Sequence, residues 1–141
     1  MTDQRTPTCQ VFRAGETYAG KQGFDYQSGI SAQTAGARGI CMHLLTIPPG
    51  ARANAHLHER HETAIYAISG VSEMRYGDRL QHKMTVAAGD MLYIPAGMPH
   101  LPYNPSDQPC TVVIARTDPD EQESVVLLPE LEALVAGPAT A

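Results

Sequence analysis

His56 and His58 stand two residues apart, and that spacing is the first in this chain that could do chemistry. Along an extended strand successive side chains alternate between faces, so both imidazoles are presented to one side. Two imidazoles on one wall are half of a metal site. A carboxylate and a third histidine complete a mixed nitrogen and oxygen shell suited to Zn, Fe, Ni or Mn. Glu62 and His100 can supply them. With Gly50 upstream, the first constellation reads G-x5-H-x-H-x3-E. The second, built from Gly89, Pro95, Gly97, His100 and Asn104, reads G-x5-P-x-G-x2-H-x3-N. Pro95 fixes φ and Gly97 accepts a positive φ, as a tight turn requires, and His100 follows that turn aimed back toward the pair. Of the other histidines, His43 and His82 read as surface or packing residues, and His61 is a weaker candidate ligand.

The elements that must position these residues are short. From Gly39 onward, apolar runs are punctuated by Gly, Pro, Asn and Asp at intervals of about eight to twelve residues, as in a sandwich or barrel of antiparallel strands. Strands are expected at 41–47, 63–68, 72–76, 84–87, 91–94, 111–116 and 124–128. Residues 1–38 are mixed in character and read as an N-terminal arm, and 39–128 as the barrel. Residues 129–141 read as a short helix and tail: Pro129 opens the helix, Leu131, Leu134 and Val135 share a face, and Gly137 with Pro138 stops it.

Composition bounds the function. The chain has 141 residues, 43% of them hydrophobic, enough for one domain and no second one. Ten basic against 15 acidic residues give a net charge of −5, spread without runs, which argues against nucleic acid or an anionic membrane as partner. The start lacks an apolar stretch of signal-peptide length, and no segment approaches a membrane span, so the cytoplasm is the expected location. Cys9, Cys41 and Cys110 are widely spaced without a C-x-x-C, so reduced thiols are expected. Arg52, Arg60 and Arg116 are single and read as solvated charges, not a phosphate site. The acidic stretch with Asp118, Asp120, Glu121 and Glu123 reads as a solvated loop.

In their order and spacing the two constellations resemble the paired motifs of the cupin superfamily, and the resemblance covers residues 40–116. It implies an all-β jelly roll, or double-stranded β-helix, holding one divalent transition metal through His56, His58, Glu62 and His100. Two coordination positions would remain for substrate, water or dioxygen. One departure bears on the ligand set. The family's glutamate is followed by six residues and a glycine, whereas seven separate Glu62 from Gly70, so the same count places Thr63 at the ligand position. With Glu62 inward, Ala64, Tyr66 and Ile68 share its face; in the other register Thr63, Ile65 and Ala67 do so, leaving a three-histidine site. Glu62 is the favoured ligand, its extra residue absorbed by a β-bulge. Glu62 and Tyr66 are the candidate catalytic residues, with Tyr93 and Tyr103 as further hydrogen-bond donors. Mostly apolar walls suit a small organic substrate. The expected activity is an oxygenase on a chelating compound; a metal-assisted isomerase or epimerase and a noncatalytic ligand-binding cupin are the alternatives. A homodimer that covers open sheet edges is also expected.

Overall fold

A computed structural model describes residues 7–13, 17–120, 122 and 124–135. Among the described residues, eleven strands form two antiparallel sheets, accompanied by two one-turn helices. In chain order the elements are β1 (Thr17–Ala19), β2 (Asp25–Ile30), α1 (Ala32–Ala35), β3 (Cys41–Ile47), β4 (His56–His58), β5 (Thr63–Ser69), β6 (Val71–Tyr76), β7 (His82–Ala87), β8 (Met91–Ile94), β9 (His100–Tyr103), β10 (Cys110–Arg116), β11 (Val125–Leu127) and α2 (Pro129–Glu132). The larger sheet runs β1-β2-β3-β10-β5-β8 and the smaller β11-β4-β9-β6-β7, which is the jelly roll that the cupin resemblance implied.

Alternation decides what each strand buries. In β3, Cys41, His43, Leu45 and Ile47 point inward, and in β10 Val112, Ile114 and Arg116 do so. With Phe24, Tyr26, Ala67 and Val86 the apolar members form the main core. A second, smaller cluster lies where α2 packs Leu131 against Leu101 and Leu80. Burying Leu101, 1% exposed, contributes about 2 kcal/mol.

The residues expected to form an arm are partly built into the barrel. β1 and β2 extend the larger sheet beside β3, Tyr26 opposite Leu45, because Phe24 and Tyr26 carry large apolar area into the core. The expected helix begins at Pro129 but ends at Glu132, while Gly137 and Pro138 lie outside the described residues. No helix among the described residues is long and apolar enough to cross a membrane.

Candidate metal centre

Two motifs meet because their backbones are tied together. His56 on β4 pairs directly with His100 on β9. The Gly97 N–H, at φ +76°, donates to the His58 carbonyl at 2.7 Å. The Gly50 N–H donates to the Asn104 carbonyl, and the Asn104 N–H to Ala51, both at 2.9 Å. The Asn104 side chain, 1% exposed, donates to the carbonyls of Ile47 (3.0 Å) and Gln108 (2.7 Å) and accepts from Ser106. Hence the glycines, the proline and the asparagine of the patterns shape the loops, and the histidines are left for chemistry.

His56, His58 and His100 converge inside the barrel with their ligand nitrogens within 4.8 Å of one another. All three are buried, at 2–3% exposure. Nδ1–H of His56 donates to the Asn54 carbonyl at 2.7 Å and Nδ1–H of His100 to the Met98 carbonyl at 2.8 Å. A carbonyl accepts only from a protonated nitrogen, so Nε2 keeps the lone pair in both rings. Burial, with the Arg116 cation second, pushes His58 down to about 2. Burial also lowers His100 to about 4, against the Met98 hydrogen bond, which acts to raise it. His56 lies well below the usual value, by burial and then by the neighbouring His100. All three are neutral at pH 7, the state a ligand needs.

The residues present fit a metal ion. Both ring nitrogens of buried His58 lack a hydrogen-bond partner, a costly condition that coordination at one nitrogen relieves. Three imidazoles accept Fe, Mn, Ni or Zn alike, so the donor set leaves the ion's identity open.

Glu62 and Tyr66, expected at this centre, are elsewhere. β5 does bulge, but at its far end, where Val112 and Thr111 of β10 face Ala67 and Ser69. Glu62 ends the 59–62 connector, and β5 itself begins at Thr63. Its inward set is therefore Thr63, Ile65 and Ala67. Glu62 is exposed, its N–H donating to the Thr117 hydroxyl at 2.9 Å and its carboxylate lying near the outward Tyr93, whose phenol it helps to push up. Tyr66, 45% exposed, faces outward on the larger sheet. Tyr103 lies in the cluster under α2 and donates to Glu73. Of the remaining histidines, His82 is exposed, whereas His43 is a core residue edge-on to Tyr26 at 5.2 Å and lowered to about 3 by burial and then Arg116.

Two residues read as solvated are buried, one of them in the cavity of the site. Arg116, 4% exposed, lines the same small cavity as His56, His100 and Thr63, and its Nε donates to the Thr63 hydroxyl at 3.0 Å. Asp118, 1% exposed, lies 3.7 Å from Nε2 of His61. Arg116 had a signal in sequence: it continues the Val112 and Ile114 alternation onto the inward face. Asp118 had none, since it lies past the strand end in an acidic stretch; Glu121 and Glu123 of that stretch lie outside the described residues.

Two facing antiparallel sheets around a buried histidine triad define a metal-competent jelly-roll barrel. The sequence profile of the cupin domain matches residues 43–116, over half of the chain, so the chain belongs to the cupin family. No curated protein matches it in sequence. Similar solved structures include Bacillus subtilis oxalate decarboxylase, studied for its Mn(II) centres, at 23% identity and a TM-score of 0.65, covering 84% of this chain and 30% of that one. A Cupin 2 conserved barrel domain protein from Salinispora arenicola shares 20% identity at a TM-score of 0.61, over 73% and 82% of the two chains. A protein of Acidithiobacillus ferrooxidans, provisionally assigned as a sugar phosphate isomerase, shares 22% at 0.58, over 72% and 66%. The chain thus spans about 30% of the oxalate decarboxylase chain, and likeness at these identities shows the fold.

Proposed function

We propose that the chain is a metal-dependent enzyme of small organic molecules, an oxygenase acting on a chelating substrate. The supporting observation is the triad: three buried, neutral imidazoles, two of them held by backbone carbonyls with Nε2 left for an ion. Three side chains leave further positions of a six-coordinate ion open to substrate and dioxygen. When bound, the ion would supply Lewis acidity and, if redox-active, electrons. This chain's own residues hold the imidazoles in one tautomer, and Leu45, Ile65, Val112 and Ile114 exclude water from the cavity.

The test offers chelating hydroxyacids, oxoacids, diketones and catechols to protein loaded with iron, manganese or nickel while oxygen is monitored. Consumption with one substrate class is expected. No consumption, with anaerobic interconversion of aldose and ketose, replaces this reading with a metal-assisted isomerase. That second reading needs a base for proton transfer, and His61, 3.7 Å from Asp118 and close enough to His58 to act on its charge, is the candidate for it. Tight binding without turnover would make the chain a ligand-binding cupin. We place the enzyme in the cytoplasm as a homodimer; its free thiols at Cys41 and Cys110 suit a reducing compartment.

A further inference from the structure

Gln22 stands in the turn that joins β1 to β2, a segment expected from sequence to be part of an arm, yet it is 1% exposed and lines the cavity that His56 and His100 line. Two hydrogen bonds separate it from a metal ligand. Its backbone carbonyl accepts from the Asn54 N–H, and the Asn54 carbonyl accepts from Nδ1–H of His56. The turn is closed by the Gly20 N–H on the Phe24 carbonyl at 2.8 Å and by the Gly23 N–H on the Gly20 carbonyl at 3.1 Å. A Cβ at Gly20 would collide with the Tyr26 ring and with Gln22 Oε1, so the turn is built closely around this amide.

The direction of the amide follows from a backbone group whose role is fixed. The Lys21 N–H can only donate, so the Gln122 atom that it meets at 2.6 Å is the carbonyl oxygen, Oε1. The other arm of Gln122 is then Nε2, a donor, and it meets Gln22 at 3.1 Å. What it meets must be Oε1. Gln22 thus has its oxygen engaged and its two Nε2 hydrogens left, and none of the described residues accepts them. A buried donor without an acceptor is costly, and a molecule in the cavity can supply one.

Thr63 Oγ1, in the same cavity, accepts from Arg116 Nε at 3.0 Å, which leaves the Thr63 proton to donate. Leu45, Ile65, Leu92 and Val112 make much of the remaining wall apolar. A group that only accepts fits between such donors. A carbonyl oxygen is one, and its two lone pairs can serve a metal ion and an amide together; a hydroxyl brings a proton that needs an acceptor of its own.

We propose that Gln22 is a substrate-binding residue of this centre, donating from Nε2 to a carbonyl oxygen of a small organic molecule, and that Gln122 is the positioning residue that sets which end of the amide faces the cavity. The inference rests on the metal reading above and narrows its chelating substrates to carbonyl compounds.

The experiment loads the full chain with Zn(II), measures metal content, and titrates the protein calorimetrically with hydroxyacetone and with 1,2-diaminopropane. The first chelates through oxygens that can still accept; the second chelates through nitrogens that keep no lone pair once coordinated. Gln22→Met removes the donor at nearly constant volume and should retain zinc, weaken hydroxyacetone about tenfold and leave the diamine within about twofold. Gln122→Glu puts an acceptor where Nε2 stood, so the Gln22 amide should turn over and present Oε1 to the cavity. Hydroxyacetone should then weaken about tenfold while the diamine tightens, a reversal that a merely structural role for Gln22 would not produce. Zinc-loaded wild-type protein that binds no hydroxyacetone overturns the inference and leaves the metal reading standing, and so does a folded Gln22→Met or Gln122→Glu protein that binds both compounds as wild type does. If Gln22→Met does not fold, Gln122→Glu decides, because Gln122 does not line the cavity. Failure of the wild-type protein to take up zinc overturns both readings.

Discussion

His43, His56, His58 and His100 share one barrel interior, and burial sets the protonation state of each. The sign of the stability effect follows from linkage. Folded values lie below the unfolded value near 6.5, so the unfolded chain binds more protons throughout the interval between them. Stability from these groups is complete above pH 6.5 and is lost as pH falls toward the folded values, about 4 for His100 and about 3 for His43. Each histidine contributes a slope of about 1.4 kcal/mol per pH unit inside its window. His43→Leu should therefore flatten the loss between pH 6 and pH 4.5 by about that slope, measured by urea unfolding at several pH values. Parallel curves for the two proteins would show that His43 is not a neutral core group. The ligands separate in a different measurement. His58→Ala and His100→Ala should lose bound metal, whereas Glu62→Ala and Tyr66→Phe should retain it by elemental analysis. The histidines were legible because H-x-H on a strand has only one geometric outcome. Glu62 was not, because spacing alone does not say whether Glu62 or Thr63 is the first inward residue at the start of β5.

At the scale of elements, the motif residues that are not histidines act as ties between strands. Asn104 joins the end of β3 to the turn before β10 through Ile47 and Gln108 while accepting from Ser106. Asn104→Ala takes the side-chain donor from the Ile47 carbonyl and leaves that of Gln108 with Ser106 Oγ alone, and it should cost about 1–3 kcal/mol in chemical unfolding. Asn104→Asp keeps the acceptor and loses the donors, so it should also destabilise; a neutral alanine variant would refute the tie. Gly70 turns β5 into β6 at φ +79°, where a Cβ would meet the Pro109 carbonyl oxygen and Cys110 Cα at 2.8 Å or less. The turn is thus fixed at Gly70, and the register shift of β5 against β10 falls just before it, between Ala67 and Ser69. The strands at 41–47 and 91–94 were readable to the residue because alternating apolar runs end there in Pro or Gly. β1, β2 and β9 were not. β1 and β9 are very short, β9 contains Pro102, and β2 is interrupted by Gly29, so their pairing comes from the strands beside them.

Among the described residues of the whole molecule, one sheet is covered and the other bare. α2 lies over the smaller sheet, whereas the outer face of the larger carries Met42, Tyr66, Ile68, Met91 and Tyr93 at 44%, 45%, 48%, 84% and 61% exposure. A groove across this face, lined by Met42, Ala64, Tyr66, Met91 and Tyr93, contains no charged side chain. That matters for the choice of partner. Copies of a chain with net charge −5 repel wherever their acidic surfaces meet, and an uncharged apolar face is where they can approach at least cost. A two-fold axis through it would pair the same residues on both copies, as an isologous dimer requires. This face, not an N-terminal arm, is therefore where the proposed homodimer should form. Deleting the first thirty residues is a poor test of it, because Phe24 and Tyr26 belong to the core and their loss would unfold the barrel. Charge placed on the face is cleaner. Wild-type protein should sediment at twice the 15.2 kDa chain mass, and Met91→Glu combined with Tyr66→Glu, like charges at directly paired positions, should sediment as a monomer with its circular dichroism unchanged. The dimer fails if wild-type protein remains monomeric at millimolar concentration. The choice of face fails if the doubly charged variant stays dimeric, because burying both charges would cost more than an interface of ordinary size recovers.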